Sequence, residues 1–143
     1  MLTKKTKYAL RSLIHLALKA DQGPVLIADL AAEENIPKKF LEHILLELNK
    51  EGYLASKKGK GGGYFLAQPA TKIVIGDVVR LMDGPLAPVA CVSKTAYAKC
   101  KDCGPENECR IRPVMKRVRE AIADVLDQTT LQDMLATPKR KKL

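Results

Sequence analysis

Residues 35–67 read NIPKKFLEHILLELNKEGYLASKKGKGGGYFLA, and this stretch decides the fold. In its first half Phe40, Leu41, Ile44, Leu45 and Leu48 recur at steps of three and four, the period of a helix with one buried face. Pro37 opens such a helix at no cost, because a first turn leaves that N–H unpaired anyway, and Gly52 ends the helix predicted over 38–51. The second half changes period. Tyr53–Ser56 and Tyr64–Ala67 are short β-prone runs on either side of Lys57-Lys58-Gly59-Lys60-Gly61-Gly62-Gly63, which predicts a β-hairpin with a cationic, glycine-rich tip.

Upstream, residues 26–34 (LIADLAAEE) predict a second short helix, and Asn35 tolerates the left-handed conformation that joins it to the next. Helix, tight turn, helix, hairpin is the order of a winged helix-turn-helix. Residues 4–20 predict a first helix with Tyr8, Leu10, Leu13, Ile14, Ala17 and Leu18 on its apolar face and Lys7, Arg11, Ser12, His15 and Lys19 opposite. Arg11, His15 and Lys19 at four-residue steps mark an amphipathic helix rather than a secretory signal, and no stretch approaches the roughly 20 apolar residues of a membrane span, so the chain reads as cytoplasmic.

Downstream, Pro69 closes the hairpin and Ile75–Met82 is a fourth helix, ended by Asp83-Gly84-Pro85. Residues 84–110 form a loop of a length that usually carries function. Ile111, Val114, Met115, Val118, Ala121, Ile122, Val125 and Leu126 make one stripe along a helix at 111–127, with Lys116, Arg117, Arg119, Glu120, Asp124 and Asp127 off it. Lacking an obvious local partner, that stripe predicts helix pairing across a homodimer, with packing on its own head as the alternative. Leu131–Leu135 is a last short helix. The fold class is therefore mainly α with a small β-hairpin wing. A winged helix-turn-helix head occupies 1–83, a cysteine-rich metal or cluster loop 84–110, a dimerisation helix and a C-terminal helix 111–136, and a basic tail, expected to be disordered, 137–143.

The formal net charge is +9, of which residues 1–66 carry +4 (11 Lys/Arg, 7 Asp/Glu), 67–136 carry +1 (10 and 9) and 137–143 carry +4 (4 and 0). A basic head suits a polyanion, since neutralised phosphates release counterions. The first turns of the 38–51 helix present Lys38, Lys39, Glu42 and His43, where helix-turn-helix proteins reach base edges. Lys39 suits guanine as a donor, Glu42 suits the cytosine amino group as an acceptor, and Lys38 suits phosphate. In the hairpin, Lys57, Lys58 and Lys60 with Gly61, Gly62 and Tyr64 form a slim cationic wing for a minor groove or a phosphate run. Alone, such a loop is more often a solvated turn; its place after a helix-turn-helix makes it a DNA contact. It is no Walker loop, because the helix-opening Gly-Lys-Ser/Thr is missing. His15 reads as a surface residue, His43 as DNA-facing and Tyr97 as a packing anchor. No Ser/His/Asp array, paired-acid motif or cofactor fingerprint is present, so no enzyme is predicted; a winged helix that binds protein instead of DNA is the alternative.

Cys91, Cys100, Cys103 and Cys109 are spaced C-x8-C-x2-C-x5-C. Cytosolic thiols stay reduced, which points to metal binding or redox chemistry rather than structural disulfides. Soft thiolates suit zinc and iron–sulfur clusters alike, and only Cys100 and Cys103 form the close pair usual in structural zinc sites. Cys109 lies beside the start of the long helix, whose free N–H groups favour a thiolate. Spacing leaves a cluster, zinc and metal-free oxidant-sensing thiols all open.

The 35–67 stretch resembles the recognition helix and wing of the Rrf-two family of winged-helix transcriptional regulators, which includes IscR, NsrR and CymR. LTKKTKYALRSLIHLA at 2–17 resembles that family's first helix, and the cysteine loop with its following helix resembles the distal half. The most specific parts are Phe40-Leu41-Glu42, Gly61-Gly62-Gly63-Tyr64 and the cysteine placement, and the resemblance covers essentially residues 1–136. It implies a bacterial homodimeric regulator, usually a repressor, that reads double-stranded DNA with Lys39, Glu42, His43 and Lys58 to Gly62. Lys39 departs from the small polar residue often found there. The resemblance also implies a [2Fe–2S] or [4Fe–4S] cluster, held in many relatives by three cysteines and one other ligand; the gap from Cys103 to Cys109 matches the last two cysteines. Where some relatives place a histidine three residues after the last cysteine this chain has Arg112, and where others place a carboxylate in the first helix it has Lys7. Neither ligates. All four cysteines are then expected to hold one cluster, with [4Fe–4S] favoured, that senses iron, redox state or nitric oxide, and zinc is the alternative.

Overall fold

The computed structural model describes residues 2–137. In chain order the elements are α1 (Lys4–Leu18), α2 (Ile27–Glu34), α3 (Lys38–Lys50), β1 (Leu54–Lys57), β2 (Gly63–Leu66), α4 (Ile75–Asp83), α5 (Arg112–Asp127) and α6 (Leu131–Ala136). The architecture is mainly α with one two-stranded antiparallel sheet.

Helix α1 is the centre of the head. Thr3 caps it by accepting from the Thr6 N–H at 3.3 Å, and Ala9, Leu10, Leu13 and Leu16 bury against α3 and α4. Because α2 covers α1 from a further side, the buried arc is wider than the apolar residues alone indicate. Ser12 is buried and its hydroxyl donates to the Tyr8 carbonyl at 2.7 Å. His15, expected at the surface, is only 6% exposed, whereas Leu18, expected in the core, is exposed. Helix α1 also stops at Leu18, two residues before the predicted end, and passes into a single turn at Ala20–Gln22.

Asn35 takes the left-handed conformation (φ 52°, ψ 51°) that joins α2 to α3, as the sequence predicts. Pro37 precedes α3 as its extended cap rather than its first helical residue. The hairpin forms where expected, each strand lying one residue nearer the tip, with Leu54 opposite Leu66 and Lys57 opposite Gly63. A contact that strand periodicity does not encode anchors it. Val25 and Tyr64 exchange two backbone hydrogen bonds of 2.8 Å, tying the wing to the α1–α2 connection. That bridge needs Gly63: its φ is +142°, and a Cβ there would lie 2.3 Å from the Val25 carbonyl oxygen.

Helix α6 opens with a capping box, Thr130 and Asp133 each bonding the other's backbone N–H, and buries Leu131 in the head core. Helix α5 packs along α4. Gly76 of α4 leaves room for Asp127, whose carboxylate accepts two hydrogen bonds from Arg80 at 2.7 and 2.8 Å. The expected stripe packs on the head only in part: Leu126 is half-buried against the core, and Val118, Ile122 and Val125 border a groove with Val79 and Leu86. Ile111, Val114, Val118, Ile122 and Val125 all face outward, Val125 at 65% exposure. The buried residue of α5 is instead Arg119, expected at the solvent side. Its guanidinium donates to the Val92 carbonyl at 2.5 Å and to Glu120 at 3.1 Å, which compensates its burial. The predicted basic tail lies, beyond Thr137, outside the described residues. Among those residues no helix is long and apolar enough to cross a membrane.

Candidate nucleic-acid interface and cysteine pocket

Lys38, Lys39, Glu42 and His43 are all exposed on α3, because Leu41, Ile44, Leu45 and Leu48 turn the opposite side into the core. Phe40, expected in the core, sits at its margin, edge-on to Tyr8 with ring centroids 5.6 Å apart. Sequence reasoning missed Leu46. It lies one turn beyond Glu42 and His43 on the same face and is 49% exposed. The available signal was its position, off the arc defined by Leu41, Ile44, Leu45 and Leu48. Lys5 of α1 pairs with Glu47 of α3 at 2.9 Å and fixes the helix beside this face.

In the wing, Lys57, Lys58, Lys60 and Gly61 are exposed. Gly62, expected at the contact surface, is buried beneath the turn: it donates to the Gly59 carbonyl at 3.0 Å, and a Cβ there would lie 2.2 Å from the Lys57 carbonyl. Gly62 therefore shapes the tip. Tyr64 is half-buried, and its backbone serves the Val25 bridge. The structure thus presents two cationic projections, the start of α3 and the wing tip, from one head.

The loop 84–110 contains two short turns, Ala90–Val92 and Glu106–Glu108. Cys91, Cys100, Cys103 and Cys109 line a single cavity of about 20 Å³, together with Lys99, Glu106 and Arg112. Burial pushes the Cys91 thiol above its ordinary value, and the adjoining Cys100 thiol adds to the rise while Arg112 opposes it. The Arg112 backbone N–H, at the start of α5, lies 3.4 Å from the Cys109 sulfur. Its guanidinium donates to the Cys91 carbonyl through two nitrogens, each at 3.3 Å. With Arg119 on Val92, two consecutive carbonyls of the loop are held by arginines of α5. Tyr97, expected as a packing anchor, is 54% exposed; its hydroxyl donates to Glu106 instead. The donor set has the chemistry of a soft-metal site, and the thiols surround one cavity. Among the described residues, however, no three His, Cys, Asp or Glu side chains converge closely enough to hold one metal ion.

Four similarities bear on these two features. The family model described as Rrf2, an iron-dependent transcriptional regulator, matches residues 2–137. An rrf2-like HTH-type transcriptional regulator of Rhodobacter capsulatus is 44% identical over 139 residues, covering 95% of this chain and 93% of that protein. Among solved structures, CymR of B. subtilis, described as its global cysteine regulator, superposes with a TM-score of 0.79 at 30% identity, covering 97% of this chain and 98% of that one. IscR of T. potens superposes with a TM-score of 0.72 at 27% identity, covering 94% and 85%. With the helix-turn-helix, the wing and the exposed α5 on the same chain, the protein belongs to the Rrf2 family of winged-helix transcriptional regulators, which are not enzymes.

Proposed function

We propose that this regulator is a homodimeric repressor whose operator affinity is set by an iron–sulfur cluster in the 84–110 loop, with Cys91, Cys100, Cys103 and Cys109 as ligands. The observation that carries the reading is the four thiols lining one cavity whose backbone is held by α5. The iron dependence in the family's description supports the cluster. When bound, such a cluster supplies an iron centre that iron starvation, oxygen or nitric oxide can dismantle. The chain's own residues do the rest. Arg112 and Arg119 bind the loop at Cys91 and Val92 to α5, and Arg80 with Asp127 binds α5 to α4 of the head. A change in the loop is thereby transmitted to the helix that spaces two heads.

Dimerisation rests on the α5 stripe. Fully burying one side chain of this kind is worth about 1.5–3 kcal/mol. Five of them, half-exposed and matched on two copies, contribute on the order of 10 kcal/mol, comparable to the estimated cost of association. Two heads related by symmetry place two α3 helices in successive major-groove turns, with Lys39, Glu42 and His43 at base edges and Lys38, Lys57, Lys58 and Lys60 on phosphates. Leu46 adds an apolar contact of the kind that reads a thymine methyl. A second reading, a zinc-bound or metal-free thiol sensor of the same fold, draws on the Cys91 and Cys100 thiols lining the same small cavity. Protein purified without oxygen separates them. The expected result is a brown protein with matched iron and acid-labile sulfide; one zinc per chain, or neither metal, favours the second reading.

A further inference from the structure

His15 lies at the junction of α1, α2 and the wing, and the DNA-reading face does not use it. Its ring is buried between two carboxylates of the α2 C-terminus: Nδ1 is 2.9 Å from Glu34 Oε1 and Nε2 is 3.4 Å from Glu33 Oε2. The two contacts differ in kind. The first is a short hydrogen bond that places the ring proton on Nδ1. The second is too loose for a good hydrogen bond, and Nε2 is a buried side-chain nitrogen without a hydrogen-bond partner. His15, Glu33 and Asp29 all line one water-accessible cavity of about 280 Å³, whose far side is formed by Gly61 and Gly62 of the wing.

We propose that His15 Nε2 and the Glu33 carboxylate form a binding site for a divalent, zinc-like metal ion, separate from the cysteine loop and independent of its cofactor. The spacing is that of adjacent ligands: two donors on a tetrahedral zinc, each about 2.0–2.1 Å from the ion, stand about 3.3–3.4 Å apart. Glu34 supplies the outer half of a carboxylate–histidine–metal arrangement, which fixes the tautomer and the orientation of the ring. No third protein ligand is assembled at bonding distance among the described residues, so the cavity provides water for the open positions, and Asp29 stands on its wall. Arg11 bonds Glu34 and leaves Glu33 free of it, whereas Lys19 approaches Glu33 to 4.0 Å and competes with the ion. Lys19 is a partly exposed surface side chain that can swing into solvent.

The test adds Zn²⁺ to the full chain and follows the side-chain ¹⁵N resonances of His15 and His43 by NMR. Co²⁺ substitution reports sulfur ligation at the cysteine loop separately, through its charge-transfer absorption. The expected result is a saturable one-to-one shift of His15 Nε2 with His43 unmoved. That shift persists when all four cysteines are replaced by serine, and Glu33→Gln, at an exposed position, weakens it at least tenfold without changing the sulfur–cobalt band. His15 unmoved at saturating zinc overturns the proposal. So does a His15 shift that Glu33→Gln leaves intact, or one that vanishes with the thiols in a variant that still folds.

Discussion

Single residues depart from the sequence pattern where a polar partner outweighs their type. Arg119 is buried because the Val92 carbonyl accepts from it, and His15 because Glu34 does. Neither partner is visible in a periodicity, since each lies 19 or more residues away. Lys39 and Lys58 are exposed and make no ion pair among the described residues, so replacing both with Glu leaves the fold intact. The same change abolishes salt-dependent operator binding in a mobility-shift series, whereas a winged helix that bound protein would keep its partner. Gly63 is different in kind. Gly63→Ala forces a Cβ into the Val25 carbonyl at a positive φ, a strain of about 1–3 kcal/mol, and detaches the wing from the α1–α2 connection. Circular dichroism and operator titration check it: a lowered Tm together with weaker binding is expected, and an unchanged pair contradicts the bridge.

At the level of elements, α5 faces two ways. Its polar side is tied to the head and loop by Arg80–Asp127, Arg112–Cys91 and Arg119–Val92, and its apolar side, Leu126 apart, is largely open. Val118→Asp with Ile122→Asp places carboxylates in that stripe. Analytical ultracentrifugation is expected to find a folded monomer; a dimer unchanged by both substitutions places the interface elsewhere. The Arg80 hydrogen bond holds the Asp127 carboxyl below its ordinary value of 3.8. A carboxyl lowered by folding stabilises above its unfolded value, and the contribution is lost as pH falls through the folded one. Asp127→Asn therefore costs no more than about 1 kcal/mol of stability at neutral pH, because the pair is partly exposed, and lowers Tm accordingly. The gap from wild type closes as pH falls below the ordinary carboxylate value. A gap that widens in acid reverses the assigned sign.

Across the whole molecule, the order of helices and hairpin was legible because each has its own period and its own stop: Asn35, Gly52 and Gly84 end three of the helices. The positions of Lys39, Glu42 and the wing lysines followed from that order. What the sequence concealed is set by pairs of residues: the Val25–Tyr64 bridge that holds the wing to the head, the burial of Gly62 under its own turn, and the convergence of four irregularly spaced cysteines on one cavity. Loop closure of this kind depends on partners far apart in the chain, which local patterns do not carry. In the proposed function, α5 joins that cavity to DNA. The most direct test is the affinity of cluster-loaded and cluster-free protein for one selected operator, measured across the same salt series. A difference of about 5–150-fold, the usual 1–3 kcal/mol of coupling between two sites, is predicted at every salt concentration. Equal affinities throughout would contradict it.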